Sequence, residues 1–222
     1  MAQQRSLKKL VLIGAGGFGR EVATSLVGMI NWYEPTYDFL GFLDDGAQFY
    51  SGMKIDGYPW LGNRYWILDH KDEVYCTCTV GDANLKKQIQ SELMHQEVRF
   101  ETIIEKTAYV APHSKIGPGC VLYGGVKVSV NCNIGAGVLL NDGVKVGHDV
   151  VIGNYTSIMT DTGISGGCQI GEQVEIGGHA FIIPGKKVGD RARIAAGSIV
   201  FSNVRAGTTV LGNPAKRMKE LE

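Results

Sequence analysis

Residues 133–158 read NIGAGVLLNDGVKVGHDVVIGNYTSI, and this stretch decides the fold of the second half of the chain. From Ile134 onward every sixth residue is aliphatic, and the same register runs in both directions from Ile104 to Val200 without a slip. All seventeen positions of this register are Ile, Val or Leu, and small or β-branched residues recur four places after them. A period of six residues, repeated this often, predicts a β-solenoid of short strands and turns.

The composition of the 222 residues limits the classes of protein to consider. Lys and Arg number 22, and so do Asp and Glu, so the zero net charge offers no general attraction for a nucleic acid. No run approaches the roughly 20 apolar residues that cross a bilayer, so we expect no membrane insertion and a cytoplasmic protein. The 31 glycines, about twice the ordinary share, indicate many tight turns.

The five cysteines point to core packing and not to chemistry. Their number is odd and they form no CxxC pair, so neither a disulfide framework nor a structural zinc site is expected. Cys120, Cys132 and Cys168 share the fifth position of the repeat, which points inward. They are therefore predicted to be small core residues.

The first half of the chain alternates between strand and helix patterns. KKLVLIG (8–14) is a continuous apolar run typical of a strand covered on both faces, and further strands are predicted over 37–45 and 73–82. Amphipathic helices are predicted over 20–30 and 83–96. This order predicts an α/β domain of Rossmann type over residues 1–103, followed by an all-β domain over 104–222.

A glycine-rich loop joins the first strand to the first helix. Residues 14–19 read GAGGFG and fit GxGxxG, so Gly14, Gly16 and Gly17 are candidates to let the backbone approach a phosphate. Asp44 and Asp45 end the next strand, a place suited to ribose or base hydroxyls. The domain has about half the size of a dinucleotide fold, which favours a mononucleotide-sized ligand over NAD. The alternative is a glycine turn that only closes a small α/β domain.

The best catalytic candidate in the repeats is His148, which is followed by Asp149 and preceded by Asn141. A neutral imidazole accepts a proton from an amine or hydroxyl nucleophile, and a neighbouring carboxylate fixes its tautomer. The alternative is a histidine that merely occupies a surface turn. No metal site is predicted, because the histidines lack the close spacing of the zinc ligands in hexapeptide-fold carbonic anhydrases.

Two resemblances give these features a common context. The repeats over 104–205 resemble those of the left-handed parallel β-helix acyltransferases, in which three hexads form one triangular coil and equivalent positions recur every third hexad. In the order GAGGFGREV, FLDD, VGDANLKKQI, the His–Asp turn and LGNPAKRM, the motifs resemble the NeuD/PglD-type sugar O/N-acetyltransferases. That family implies acetyl-CoA as co-substrate, a nucleotide-linked amino sugar or sialic acid as acceptor, and a homotrimer with active sites between subunits.

The resemblance also implies roles for individual residues. His148 would be the general base, Asp149 its partner and Asn141 a neighbour in the active site. Gly166 lies one full coil, or three hexads, after His148, so it would stack over the imidazole, leave room for a thioester and offer its N–H to the oxyanion. Further positions matched to acetyl-CoA are Gly178, Ala196, Pro214 and Lys216. Those matched to the nucleotide sugar are Gly14, Gly16, Gly17, Asp44, Asp45, Gly81 and Asp82.

Two positions depart from the family pattern, and they bear on the substrate. Phe18 stands where many bacillosamine-pathway members have a histidine, and Ser157 stands where some carry a second histidine. We expect N-acetylation of the 4-amino group of a nucleotide-linked deoxyaminosugar, with UDP as the favoured nucleotide. The alternatives are O-acetylation of sialic acid or a related sugar, a non-catalytic sugar-nucleotide scaffold, and a nicotinamide oxidoreductase suggested by the glycine loop alone.

Overall fold

A computed structural model describes residues 7–26 and 37–218. Contacts between Cα atoms divide the chain into two compact units, Met1–Val80 with Gln88–Glu101 and Gly81–Lys87 with Thr102–Glu222. The sequence did not anticipate that residues 81–87 group with the second unit. In the described part of the chain, no helix has the length and apolar character needed to span a membrane.

The first unit is built on a five-stranded sheet with the order β3-β4-β2-β1-β5. Its strands are β1 (Lys8–Ile13), β2 (Tyr37–Leu43), β3 (Lys54–Ile55), β4 (Tyr58–Gly62) and β5 (Tyr75–Cys78). The β3–β4 pair is antiparallel and the other pairs of this sheet are parallel. Strand β1 lies between β2 and β5, and its apolar residues Leu10–Ile13 are buried, as expected for a strand covered on both faces.

Two α-helices and one 3₁₀-helix complete the described elements of this region. Helix α1 spans Gly17–Leu26, α2 spans Ala83–His95, and the 3₁₀-helix spans Arg64–Asp69. The end of the first predicted helix, residues 27–30, lies outside the described residues. The prediction of an α/β domain at the start of the chain is confirmed.

The second unit consists of two- and three-residue strands stacked in three sheets. One sheet contains β7 (Tyr109–Val110), β10 (Lys127–Val128), β13 (Lys145–Val146), β16 (Gly163–Ile164), β19 (Phe181–Ile182) and β22 (Ile199–Val200). A second contains β8 (Lys115–Ile116), β11 (Asn133–Ile134), β14 (Val151–Ile152), β17 (Gln169–Ile170) and β20 (Lys187–Val188). The third contains β6 (Ile103–Ile104), β9 (Val121–Leu122), β12 (Leu139–Leu140), β15 (Ser157–Ile158), β18 (Glu175–Ile176), β21 (Arg193–Ile194), β23 (Thr209–Leu211) and β24 (Lys216–Arg217).

From β6 to β22, neighbouring strands in each sheet pair in parallel with a register of three hexads. Val128 pairs with Val146 and Val146 with Ile164, so the aliphatic positions stack in columns on the inside. Three strands therefore form one coil of a left-handed parallel β-helix, which confirms the predicted fold. The first member of the register, Ile104, also pairs with Leu122 one coil later, but it is 46% exposed because β6 is the last strand at its end of the sheet.

The interior is filled by these aliphatic columns and by the small residues between them. Cys120, Cys132 and Cys168 are buried in this core, which confirms their predicted place. Burial raises the pKa of the Cys120 thiol to about 11. A thiol in this state is protonated at neutral pH, so it packs as a small apolar group.

The corners between strands follow one backbone rule. The third residue of many corners has a positive φ, as Asn131 (58°), Asp149 (58°) and Gly167 (70°) do. Gly, Asn and Asp are the residues that adopt this left-handed conformation at least cost, which accounts for the many glycines. These three residues follow one another at intervals of one coil, so they form one column along an edge of the β-helix.

Candidate active site

The candidate base stands on the corner between β13 and β14. Asp149 adopts the left-handed conformation there, and its backbone N–H donates to the carbonyl of Val130 at 3.0 Å. This turn directs the carboxylate to the preceding side chain, and His148 Nδ1 lies 2.7 Å from Asp149 Oδ2. The histidine side chain is 65% exposed. The structure therefore brings the predicted pair together at a corner that is exposed to solvent.

Gly166 lies directly against the imidazole, as its position one coil after His148 predicts. A Cβ built on Gly166 would lie 2.5 Å from His148 Nε2 and 2.6 Å from Cε1, well inside van der Waals contact. Any larger residue would force the ring to move. Since Nδ1 is occupied by Asp149, Nε2 is the nitrogen left on the side of Gly166.

The amide of Gly166 is available as a donor. Within the described residues its N–H has no hydrogen-bond acceptor, whereas the next amide, that of Gly167, donates to the His148 carbonyl at 2.9 Å. Pro112 and Pro184 occupy the same place in other coils and have no N–H at all. The strand ladder therefore does not need this donor.

The electrostatics of the pair favour an ionised aspartate. The hydrogen bond from His148, with a second one from Asn131, holds the pKa of Asp149 below its usual value. An anionic Asp149 accepts a hydrogen bond from the protonated Nδ1, which leaves Nε2 as the basic nitrogen. No sequence pattern singled out Asn131, because a polar residue at a left-handed corner is common on structural grounds alone.

Asn141 lies on a different edge of the β-helix. It begins the corner between β12 and β13, and its Oδ1 accepts the backbone N–H of Asp142 at 2.7 Å. One side of the triangular coil separates this corner from that of His148. Within a single chain the structure therefore does not bring these two predicted residues together.

Gly178 and Ala196 share the edge of Asn141. They are one coil apart, and the Gly178 carbonyl accepts the N–H of Gly197 at 2.9 Å, which stacks one corner on the other. Ala196 also lines a groove of about 440 Å³ together with Gly81, Asp82, Met159, Glu175 and Arg193, among others. The structure thus places three predicted ligand-binding positions, Gly81, Asp82 and Ala196, around one groove.

A larger groove of about 720 Å³ runs across the sheet that contains β13 and β16. Gly147 and Ser165 line it, and these residues immediately precede His148 and Gly166. Its other end reaches His179, at the edge that carries Gly178. A ligand in this groove would pass beside the His148 corner.

The two predicted tail residues lie where the last strands form a hairpin. Pro214 is exposed in the turn between β23 and β24, and Lys216 is exposed at the start of β24. The backbone N–H of Ala215 donates to the Ile199 carbonyl at 2.8 Å and fastens this turn to the β-helix. Lys216 is therefore a cation on an anchored hairpin.

The glycine loop in the first unit is held by Asp44. One carboxylate oxygen accepts the N–H of Ala15 and the other that of Gly46, both at 2.8 Å. Side chains added at Gly16 or Gly17 would meet no atom within 4 Å, so this part of the loop faces open space. Asp44 thus holds the loop in shape, a structural role that the sequence did not predict. Its contact with a ligand stays a prediction.

Asp45 is also committed to protein contacts. Its Oδ1 accepts the backbone N–H of Arg64 at 2.9 Å, and its Oδ2 lies 3.4 Å from the Arg64 guanidinium. The Arg64 side chain is 15% exposed, and its guanidinium also lies 3.6 Å from the Glu92 carboxylate. Arg64 is a further cation of this unit, and no sequence pattern singled it out. Within the described residues, no group of three or more His, Cys, Asp or Glu side chains is arranged to hold a metal ion.

Comparison with known proteins agrees with the predicted α/β domain in the first half and the predicted hexapeptide repeats in the second. Residues 9–93 match the PglD N-terminal domain, and residues 149–184 match the bacterial transferase hexapeptide family of six repeats. No curated protein sequence matches the chain.

Solved structures similar to the chain cover nearly its whole length. The acetyltransferase domain of PglB from Neisseria gonorrhoeae FA1090 is 28% identical, with a TM-score of 0.84 over 95% of this chain and 100% of that one. A second structure of that domain, in complex with acetyl coenzyme A, is 29% identical, with a TM-score of 0.84 over 96% and 100%. The H141N mutant of perosamine N-acetyltransferase from Caulobacter crescentus, in complex with CoA and GDP-perosamine, is 22% identical, with a TM-score of 0.85 over 97% of this chain and 99% of that one, and shares the fold. The chain therefore carries a region similar to the PglD N-terminal domain followed by bacterial transferase hexapeptide repeats, and over nearly its whole length it is similar to the acetyltransferase domain of PglB.

Proposed function

We propose that the protein transfers the acetyl group of acetyl-CoA to the 4-amino group of a nucleotide-linked deoxyaminosugar. The observation that carries the proposal is the exposed His148, whose Nδ1 is held by Asp149 while Gly166 leaves the space beside Nε2 open. The chain that presents this arrangement resembles acetyltransferase structures over nearly its whole length. The acceptor class is the one that the family resemblance implies, the match of residues 9–93 to the PglD N-terminal domain supports it, and UDP is the first nucleotide to test.

The reaction needs one base and one oxyanion donor. The amine nitrogen attacks the thioester carbonyl and forms the new C–N bond, while His148 Nε2 accepts a proton from the amine. The carbonyl oxygen then carries the negative charge, and the free N–H of Gly166 donates to it. When the C–S bond breaks, the imidazolium returns the proton to the CoA thiolate. Asp149 stabilises the charged imidazole between these steps.

No covalent acetyl-enzyme is needed in this scheme. The five cysteine thiols are buried, and the pKa values of Cys76 and Cys120 are raised by burial. They are poor nucleophiles in that state. Transfer is therefore direct, with donor and acceptor bound together.

The remaining predicted residues divide between the two substrates in this proposal. Gly14, Gly16 and Gly17 offer an open backbone loop to the nucleotide phosphates, and Asp44 holds that loop in shape. Asp45 in the first unit, and Gly81 and Asp82 in the second, are acceptor positions that the family resemblance implies. Gly178, Ala196, Pro214 and Lys216 serve acetyl-CoA, and Lys216 offers its charge to a CoA phosphate.

We further propose a homotrimer in which each site forms between two subunits. Asn141 lies on a different edge from His148, so it would enter the site from the neighbouring subunit. Tyr109 and Phe181 are exposed on the sheet between those edges, at 57% and 45%, and contact with another subunit would bury them. Sedimentation would test the assembly, and a monomer at micromolar concentration would refute it.

The activity is tested by release of CoA thiol from acetyl-CoA. The acceptors are the 4-amino-4,6-dideoxy sugars linked to UDP, dTDP and GDP, with free sialic acid as the hydroxyl acceptor. Thiol release with an amino sugar, and its loss in His148→Ala, is the expected result. Turnover on sialic acid alone would establish O-acetylation instead, and turnover unaffected by His148→Ala would remove the base from the mechanism.

A further inference from the structure

A third residue reaches the His148–Asp149 pair from the coil below. Asn131 lies one coil before Asp149, and its Nδ2 donates to Asp149 Oδ1 at 3.3 Å. The other oxygen of the same carboxylate, Oδ2, lies 2.7 Å from His148 Nδ1. Each oxygen of Asp149 thus has its own partner, one from the coil below and one from its own coil.

The two contacts together fix the plane of the carboxylate. With one partner alone, the terminal torsion of an aspartate has a broad distribution, so the group could turn while keeping a bond to either oxygen. Asn131 is attached to a corner whose backbone is set by the β-helix, with φ at 58°. A donor held in this way selects the rotation of Asp149 that directs Oδ2 at Nδ1.

The chemistry of the amide also suits this task. An asparagine amide donates a hydrogen bond without a charge, so it stabilises the aspartate anion and leaves its attraction for the imidazolium in place. The described groups that act on the ionisation of Asp149 are His148 and Asn131. A lysine in the place of Asn131 would instead compete with His148 for the same negative charge.

We propose that Asn131 is a positioning residue, which holds the Asp149 carboxylate in the orientation that keeps His148 Nδ1 protonated and Nε2 basic. This inference rests on the proposed function for its effect on rate, because His148 is the general base there. It goes beyond that function by adding a residue one coil away that acts through its hydrogen bond to Asp149.

The test compares two substitutions of Asn131 with a matched control. Asn131→Gly removes the donor and tolerates the left-handed backbone, so it separates the side chain from the turn. Asn131→Asp keeps the shape but replaces the donor by a second negative charge. His113→Gly is the control, since His113 has a φ of 66° in the same column, one coil further from Asp149.

Loss of one charge-assisted hydrogen bond at this exposed corner should lower kcat of Asn131→Gly about three- to tenfold, with KM unchanged. Asn131→Asp should move the acidic limb of the pH–rate profile up by about half a unit or more, because the added charge favours the imidazolium. His113→Gly should match the wild type in both measurements. A wild-type kcat and pH limb in both Asn131 variants would overturn the proposal, and so would an equal loss in His113→Gly.

A spectroscopic measurement keeps this inference separate from the proposed function. In the intact protein labelled with ¹⁵N-histidine, the His148 signals are assigned by their loss in His148→Gln. In the wild type, Nδ1 should carry the proton, and in Asn131→Gly the two tautomers should mix. If no acceptor supports thiol release but the tautomer shift occurs, the proposed function fails while the positioning role stands. An unchanged tautomer refutes the positioning role, whatever the activity.

Discussion

Because Gly166 lies against the imidazole, we expect a substitution of Gly166 to abolish most of the activity while the stability of the protein stays nearly unchanged. In Gly166→Ala the new Cβ would lie 2.5 Å from His148 Nε2, about 1 Å closer than an ordinary contact of about 3.5 Å. Gly166 does not have a left-handed φ, so the backbone accepts alanine without strain. The ring is 65% exposed and can swing into solvent, which breaks its hydrogen bond to Asp149.

The expected magnitudes follow from this geometry. Displacing the general base removes most of its contribution, so kcat for thiol release should fall by about 100-fold or more. The free energy of unfolding should change by less than about 1 kcal/mol, because only a solvated side chain moves. The assay is acetyl-CoA-dependent thiol release with the best acceptor of the panel, alongside urea denaturation of the same samples.

Gly167→Ala is the matched control, and it should behave in the opposite way. Gly167 has a φ of 70°, and its added Cβ would lie no closer than 3.9 Å to the Cα of Gly185, away from the imidazole. Left-handed strain should cost about 1–2 kcal/mol of stability and leave kcat within about threefold. The double variant Gly166→Ala/His148→Ala should be no slower than His148→Ala alone, because each single substitution removes the same contribution, that of the His148 base. Full kcat in Gly166→Ala would refute the placement of the base.

Three further predictions concern parts of the molecule outside this corner. Lys86 is 1% exposed and its Nζ lies 2.7 Å from Ser157 Oγ. Lys86→Ala should therefore lower the free energy of unfolding by about 2 kcal/mol or more in urea denaturation, and an unchanged midpoint would contradict a stabilising role for Lys86. Asp44→Ala should raise KM for the nucleotide sugar but not for acetyl-CoA, because the N–H of Ala15 loses its hydrogen-bond partner in the glycine loop. An equal rise for both substrates would argue against the loop as the binding site of the nucleotide sugar. The native protein should show no reactive thiol at pH 8, where the buried Cys120, with a pKa of about 11, stays protonated; a thiol that reacts before unfolding would contradict the buried core.

The predicted elements of the first half agree with the structure where the pattern was periodic. Strand β1 and helix α2 were predicted because continuous or regularly spaced apolar residues mark them. Strands β3 and β4 and the 3₁₀-helix Arg64–Asp69 were missed, because short elements at the edge of a sheet carry too few apolar positions to form a period. That missed segment supplies Arg64, the partner of Asp45.

The core of the second half and the stacking of its coils were already determined by the sequence. A six-residue register is a local rule, since each coil repeats the same inward positions. Three hexads per coil, a number implied by the resemblance to the β-helix acyltransferases, then place Gly166 over His148. The tertiary structure alone decided which polar groups meet: Asn131 with Asp149 across coils, and Lys86 with Ser157 across 71 positions of the chain. These pairs depend on side-chain directions and on the path of the chain between distant segments. A periodic pattern records which side of the backbone faces the core, and it carries no information about which two outward groups become partners.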